Sequence, residues 1–433
     1  MRDNDLDFTI ARLGDCRVQS PLSGVRFTSD SDRVLYHSTL EKMNAWKQDS
    51  SDRNAAPPSM ERAGPRQMLF FDPAQLACGI VTCGGLCPGL NDVIRAVVVS
   101  LNRNYGASTI YGFRFGYEGL VRRIGHKPLE LTPESVHRIH ESGGSILGSS
   151  RGPQDVAEMV DYLKDLRIGI LFAIGGDGTL RGAQAIGDEA ARQGLKVGVI
   201  GIPKTIDNDV SFVQRTFGFE TAVTEAHRAT YAANAEAEAA RNGIGLVKLM
   251  GRDSGFIAAY SALVNNEVNF CLIPEVPFRL EKFLSALERR LERRGHAVIV
   301  VAEGAGQDLM ASGDQRDASG NVKYGDIGAF LRDAIVRSFK DSGTPISLKY
   351  IDPGYAIRSA PAIPHDSAFT LLLGQNAVHA GMTGRTDMVV GFWNHQFTHV
   401  PIALAVSARK RIDPEGTLWS SVLASTGQPH NLC

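Results

Sequence analysis

Two aspartates stand two residues apart in Pro203-Lys204-Thr205-Ile206-Asp207-Asn208-Asp209, directly after an apolar run. In extended chain, residues i and i+2 point the same way. The pair therefore predicts one carboxylate that takes a proton and one that orients Mg²⁺ or water. Lys204 beside them is suited to neutralise phosphate charge. An Asp-rich capping turn is the competing account of this segment taken alone. Gly175-Gly176-Asp177-Gly178-Thr179 follows another apolar run, ILFAI. Its glycines let polyphosphate oxygens approach the main chain, and Asp177 is suited to hold Mg²⁺ through water. Thr179 is either a phosphate donor or a helix cap. Met250-Gly251-Arg252-Asp253-Ser254-Gly255 places Arg252 where an anion can sit and Ser254 as a helix cap. Glu303 ends the apolar run AVIVVA, and a strand terminus of that kind seldom carries Glu without a partner. A sugar hydroxyl is one partner; a Lys or Arg of the fold is the other. Tyr355 and Arg358 add two phosphate donors, and Arg151 adds another cation after GGSILGSS. Gly84-Gly85 and Pro88-Gly89 open a helix whose first N–H groups either hold an anion or merely make a tight turn.

A phosphate cradle, a metal carboxylate, a candidate base and several cations fit phosphoryl transfer, where catalysis is mostly positioning and charge neutralisation. Other chemistries lack their signatures. There is no GxSxG nucleophile elbow and no HExxH zinc pair. The Gly84-Gly85 turn is neither GxGxxG nor GxxxxGK[ST]. His126, His137, His140, His227, His365 and His379 read as surface or core residues.

These residues need elements to hold them. From Leu76 onward, short apolar strands alternate with helices. Strands are expected at 78–82, 107–113, 167–176, 195–203, 245–251, 269–275, 297–304 and 346–352. Helices are expected at 88–104, 179–193, 217–241, 254–265, 279–294, 325–341 and 367–381. Brief loops between them mean parallel sheets covered on both faces. Five strands end in small-residue turns: TCGG, AIGGDG, VIGIPK, LMGR and VAEG. Ligands of open parallel sheets sit beyond the carboxyl ends of the strands, so five such turns outline an active-site rim, although ordinary βα turns also favour glycine. Residues 1–76 are polar and lack a sustained period. They read as an irregular arm partly ordered by packing, with a free tail as the alternative.

Composition removes several classes. With 46 Lys+Arg against 47 Asp+Glu, the net charge is −1, which excludes a strong nucleic-acid field. No run approaches the ~18 apolar residues of a membrane span. The first twenty residues carry charges where a signal peptide is apolar, so a cytoplasmic location is expected. Six cysteines in 433 residues make no disulfide framework. Cys83 and Cys87 lack a second Cys/His pair and read as buried thiols.

The segments TCGGLCPGLNDVIR, IGGDGTL, PKTIDND, MGRDSGFIA, VAEGAGQ and YIDPGYAIR resemble the 6-phosphofructokinase family. The branch in view is that of plants and trypanosomes, whose members carry PKTIDND and the YIDP segment. The resemblance runs from about Ala63 to about Gly391. It implies an α/β fold of two lobes, each a mostly parallel sheet covered by helices, with an irregular N-terminal arm over 1–76. A donor lobe would span 77–218, completed by 367–433, and a fructose 6-phosphate lobe 219–366, with the cleft between them. The implied activity is Mg²⁺-dependent transfer from ATP to the 1-hydroxyl of fructose 6-phosphate. Gly85, Arg151 and Gly175–Thr179, with Gly176 and Gly178, would hold donor phosphates, and Asp177 would bind Mg²⁺. Asp207 would be the base, with Lys204, Thr205 and Asp209 beside it. Arg252 would bridge donor and acceptor phosphates. Met250, Gly251, Glu303, Tyr355 and Arg358 would line the sugar-phosphate site.

The family splits into ATP users and pyrophosphate users. In the latter, a second Asp typically follows the metal Asp, and the residue before TID is Lys. Here Gly178 leaves the space of the α-phosphate open. Lys204 fits the pyrophosphate pattern, but the plant and trypanosome branch carries it while using ATP. Occlusion excludes a ligand, whereas an added cation merely favours one, so ATP is expected and pyrophosphate is the alternative. An inactive sugar-phosphate-binding subunit should have lost Asp177 or Asp207, and both are present. NAD and lipid kinases share GGDGT but lack PKTIDND. Short bacterial family members carry an intersubunit Arg near position 243, where this chain has Gly243, so no such Arg is assigned. The family further suggests an allosteric homotetramer, or a homodimer, with no nucleic-acid or membrane partner. The terminal NLC is not a peroxisomal SKL address.

Overall fold

A computed structural model describes residues 6–49, 56–310, 316, 322–430 and 432. The chain divides into two compact units. The first comprises Met1–Thr205, Val210–Phe217 and Pro361–Ala408; the second comprises Ile206–Asp209, Gly218–Ala360 and Arg409–Cys433. Each unit has its own sheet and core.

In the first unit the strands Ala77–Thr82 and Gly198–Pro203 are buried at every position. Strands covered on both faces require unbroken apolar runs, which is why these read as continuous rather than alternating. Among the described residues, nine strands form this sheet, in the order Arg33–Leu35, Ser59–Arg62, Gln396–Pro401, Met388–Trp393, Gly198–Pro203, Ile168–Gly175, Ala77–Thr82, Thr109–Phe113 and Leu129–Glu130. The five strands from Met388–Trp393 to Thr109–Phe113 run parallel. The remaining edge strands are antiparallel. Leu180, Ala183 and Ile186 of the helix Asp177–Arg192 pack into the core with Leu171, Ala173 and Val199. The expected helix at 88–104 is an α-helix at Leu90–Val99 followed by a π-helix at Ser100–Tyr105.

The N-terminal arm is built into this unit. Arg33–Leu35 and Ser59–Arg62 extend the sheet, Ala11–Arg12 pairs with Arg385–Thr386, and Val18–Gln19 pairs with Met68–Leu69. A free tail is therefore excluded for the described part of the arm; the polar run at 50–55 lies outside the described residues. The anchor is ionic. Arg385, 1 % exposed, donates from Nε to Glu61 at 2.7 Å, from Nη1 to Thr383 Oγ1 at 2.7 Å and from Nη2 to Asp30 at 2.7 Å. Arg66 donates to the same Asp30 oxygen at 2.9 Å, and Arg12 reaches Asp30 and Glu61 at 2.8 and 3.0 Å. An arm held by buried charge pairs carries no hydrophobic period, so its sequence reads as irregular.

The second unit holds a four-stranded parallel sheet, in the order Phe270–Leu272, His296–Ala302, Gly243–Leu249 and Ser347–Ile351. The helix Leu280–Arg294 buries Phe283, Leu287 and Leu291, one stripe at a spacing of four. The segment after Arg409 belongs to this unit, although the sequence reading attached it to the donor lobe. Gln428 Oε1 accepts from the Cys271 N–H at 2.7 Å, and the Leu432 carbonyl accepts from Arg279 N–H at 2.6 Å. These anchors use main-chain groups and one amide, and so leave no pattern in the sequence. Among the described residues, no helix is long and apolar enough to cross a membrane. Cys16, Cys78, Cys83, Cys87 and Cys271 are free thiols, all but Cys16 buried.

Candidate active site

In the first unit, Ala77–Thr82, Ile168–Gly175 and Gly198–Pro203 end side by side. Their turns carry the predicted donor-side residues. Gly84 and Gly89 take left-handed dihedrals, φ +85° and +93°, which glycine adopts without strain. The Lys204 ammonium donates to the Gly85 carbonyl at 2.6 Å, and the Lys204 N–H donates to the Gly175 carbonyl at 2.9 Å. Lys204 is buried and ties two turns together. A Cβ on Gly85 would stand 3.4 Å from Arg151 Nη2, so the exposed Arg151 guanidinium lies beside that turn. Gly176 is the N-cap of the helix Asp177–Arg192. Thr179 is therefore in the first helical turn and is not the cap; its carbonyl accepts from the Tyr117 hydroxyl at 2.6 Å. A Cβ on Gly178 would meet no protein atom within 4 Å.

Asp177 offers a carboxylate at a helix N-terminus, 26 % exposed, with Arg181 Nε 3.5 Å from Oδ2. A single hard oxygen donor suits Mg²⁺, which keeps most of its waters and takes further oxygens from substrate phosphates. The residue fits that ion.

The PKTIDND segment passes from one unit to the other between Thr205 and Ile206. The Thr205 carbonyl accepts from Thr216 Oγ1 at 2.7 Å within the first unit. Ile206–Asp209 group with the second unit, whereas the sequence reading placed them in the donor lobe. Nor is this stretch extended: Asn208 is left-handed at φ +55°, so the two aspartates do not follow strand alternation. Asp209 accepts from Arg409 at 3.0 Å, and its carbonyl accepts from the Lys410 N–H at 2.8 Å. Asp207 is half-buried with Oδ1 buried. Burial first, then the negative charges of Asp209 and Glu303, push its carboxyl up to about 8, against the opposing pull of Arg358 and Arg409. A carboxylate tuned this far upward is matched to taking a proton near neutral pH.

The parallel register of the second sheet brings Leu249 level with Ala302. The following turns lock together: Glu303 N–H donates to the Leu249 carbonyl at 2.9 Å and Gly304 N–H to the Gly251 carbonyl at 3.1 Å. Gly251 sits at φ +123°, where a Cβ would be 2.7 Å from the Ser254 carbonyl oxygen. At this rim lies a cavity of about 160 Å³, lined by Lys248, Leu249, Met250, Glu303, Asp352, Gly354, Tyr355 and Arg358. Four residues singled out in the sequence, Met250, Glu303, Tyr355 and Arg358, thus meet in one place. Arg252 is not among the lining residues; its guanidinium stacks 4.2 Å over Tyr324 and donates to the Val322 carbonyl. Ser254 does not cap the next helix, whose N-cap is Gly255; its hydroxyl donates to the Lys410 carbonyl.

Sequence reasoning missed Lys248, Asp352, Arg409 and Lys410. A lysine inside the apolar strand GLVKL was a usable signal. Arg409 and Lys410 gave none, because their role depends on a distant segment folding against Asp209. Burial lowers the Lys410 ammonium to about 7, opposed by Asp209.

The family model for Phosphofructokinase matches residues 77–381. The chain belongs to this family. It is 46% identical to an ATP-dependent 6-phosphofructokinase of Borreliella burgdorferi, over 99% of this chain and 98% of that one. It is 48% identical to an ATP-dependent 6-phosphofructokinase of Trypanosoma cruzi, over 84% of this chain and 75% of that one. Among solved structures, a pyrophosphate-dependent phosphofructokinase from Marinobacter aquaeolei aligns with a TM-score of 0.68 at 19% identity, covering 82% of this chain and 92% of that one. At that identity the likeness concerns the fold alone. The phosphofructokinase match contains every predicted site residue, from Gly85 to Arg358.

Proposed function

We propose that this phosphofructokinase transfers the terminal phosphoryl group of ATP to the 1-hydroxyl of fructose 6-phosphate, giving fructose 1,6-bisphosphate and ADP. The observation that carries this reading is the cavity of the second unit. Two cations, a tyrosine and two carboxylates converge there at the carboxyl ends of adjacent parallel strands. The same unit holds Asp207 with its raised carboxyl. Arg358 and Tyr355 would bind the 6-phosphate, Glu303 would accept from a sugar hydroxyl, and Met250 would pack on the sugar.

Asp207 takes the proton of the 1-hydroxyl as that oxygen bonds to the γ-phosphorus. The bond from the γ-phosphorus to the β–γ bridging oxygen breaks, and its electron pair leaves with ADP. The main-chain turns at Gly85 and Gly176–Thr179, with Arg151, would hold the donor phosphates; Arg252, which lies over Tyr324 and not at the cavity, would have to leave that ring to bridge donor and acceptor. Asp177 would hold Mg²⁺, which when bound would supply neutralisation of phosphate charge.

ATP is favoured over pyrophosphate by the open space at Gly178 and by the names of the two relatives. Lys204 favours pyrophosphate less than its position in the motif suggests, because its ammonium is engaged by the Gly85 carbonyl. The reading includes a homotetramer, checked by sedimentation of the purified protein, and a cytoplasmic location, checked by cell fractionation. The test of function is purified protein with fructose 6-phosphate, Mg²⁺ and either ATP or pyrophosphate, following fructose 1,6-bisphosphate. Turnover with ATP alone is expected; turnover with pyrophosphate alone would overturn the donor, and turnover with neither would overturn the reaction.

A further inference from the structure

Lys248 is the single charged residue of the strand Gly243–Leu249, whose other positions are buried. Its side chain is 17% exposed and forms part of the cavity wall. The ammonium lies 2.8 Å from Asp352 Oδ2 and 3.1 Å from Asp326 Oδ1. Asp326 is the N-cap of the helix Ile327–Asp341, accepting from the N–H groups of Gly328 and Ala329 at 3.1 and 3.2 Å. The other oxygen of Asp352 accepts from the Gly354 N–H at 3.1 Å, where the short helix Gly354–Ser359 begins. That helix carries Tyr355 and Arg358.

The charge balance is the point. Asp352 is itself a lining residue, and an uncompensated carboxylate there would repel a phosphate dianion. Lys248 is the partner that compensates it and, through the same carboxylate, ties the central strand to the turn that presents Tyr355 and Arg358. Burial pulls the ammonium's pKa down, but the bonds from Asp352 and Asp326 outweigh it and hold it well above its ordinary range. Among the described residues, Lys248 makes the one ion pair to Asp352. We infer that Lys248 is a positioning residue for acceptor binding: it masks the charge of Asp352 and fixes the turn bearing Tyr355 and Arg358, without touching the transferred group. The inference rests on the reading of this cavity as the sugar-phosphate site.

The experiment is steady-state kinetics with ATP and fructose 6-phosphate on the full chain, with thermal melting of each variant. Lys248→Met should raise KM for fructose 6-phosphate about tenfold to hundredfold, the span expected for losing a charge-assisted hydrogen bond. KM for ATP and kcat should stay within about twofold, since neither depends on that bond. Lys248→Arg should recover most of the loss, because it restores the charge. A sugar KM unchanged in folded Lys248→Met would overturn the inference, as would a parallel shift of kcat and both KM values. Asp352→Asn gives an independent arm if Lys248→Met fails to fold. It keeps an oxygen for the Gly354 N–H and removes the charge that needs masking, while giving up the bond to Lys248, so sugar KM should rise less than in Lys248→Met; a rise as large or larger would overturn the masking argument. Wild-type protein that turns over fructose 6-phosphate with neither donor would instead overturn the function proposed for the cavity.

Discussion

In the first unit, the turns assigned to the donor phosphates are mostly main chain: Gly84-Gly85, Gly175-Gly176 and Gly178, with Lys204 spent on the Gly85 carbonyl. In the second unit, the cavity assigned to the sugar phosphate is mostly side chain: Lys248, Glu303, Asp352, Tyr355 and Arg358. The difference has a physical consequence. Main-chain N–H groups bind any phosphate, and no substitution other than proline removes them. A site made of them discriminates by space, which here is the empty volume beside Gly178. Side chains discriminate by charge and shape, and they tune one another. Asp207 is raised first by burial and then by Asp209 and Glu303, and Lys248 is held charged by two aspartates. The second unit should therefore be sensitive to single charges, and the first to added bulk.

The largest effect is expected where tuning is strongest. Asp207→Ser should lower kcat by about 10³-fold or more, near the upper range for removing a general base, while fructose 6-phosphate binding measured by calorimetry survives. Activity that persists would break the assignment of the base. The pH dependence follows in sign. Asp207 accepts a proton only as the carboxylate, and its folded value lies near 8 rather than near 4. Hence kcat/KM for the sugar phosphate should fall about tenfold per pH unit below that point and level off above it. The acidic limb should vanish in Asp207→Ser; a limb that survives would belong to another group.

Gly178→Asp should act next most strongly. Its Cβ has room in the protein, so the melting temperature should hold within a few degrees. In the donor space it should lower kcat/KM for ATP by about 10²-fold, through occlusion and like-charge repulsion. Any pyrophosphate turnover should suffer less. Equal loss of both would mean that space is not what the first unit reads. Arg358→Leu should follow, raising KM for fructose 6-phosphate about tenfold to hundredfold with KM for ATP unmoved. A matching rise in KM for ATP would erase the division between the two regions.

Much of this was legible in the sequence, for reasons that can be named. Strands such as ILFAIG and VAEG combine an apolar run with an immediate glycine turn, and both features are local. The meeting of Met250, Glu303, Tyr355 and Arg358 follows once parallel neighbours end level. What escaped depends on distant segments. The conformation of Asn208 rotates Asp209 toward Arg409, which lies 200 residues away. Gln428 and Leu432 anchor the C-terminal segment through hydrogen bonds that any polar run can make. The N-terminal arm is polar because its interior is ionic, so a reading based on hydrophobic periodicity passes over it.

That arm gives the smallest effect on activity and the control for the comparison. Its charges are as dense as those of the cavity, yet Glu61, Arg66 and Arg385 are buried and paired. Burial alone would raise the Glu61 carboxyl, but its bonds to His399 and Arg385 outweigh that and hold it well below the usual carboxylate range. A depressed folded value contributes stability above the unfolded value near 4 and loses it as pH falls further. Wild-type protein should therefore lose stability in acid below about pH 4, while Glu61→Gln has lost that contribution at every pH. Breaking a buried pair costs about 3–5 kcal/mol, which denaturant unfolding at pH 7 will read as a lower midpoint. Once folded, Glu61→Gln should keep wild-type KM values for both substrates. Charge fully compensated inside a unit braces it, whereas charge left partly uncompensated at a strand end is available to a ligand. A sugar KM that moved with Glu61→Gln would show that the arm shapes the site and that bracing and binding are not separable here.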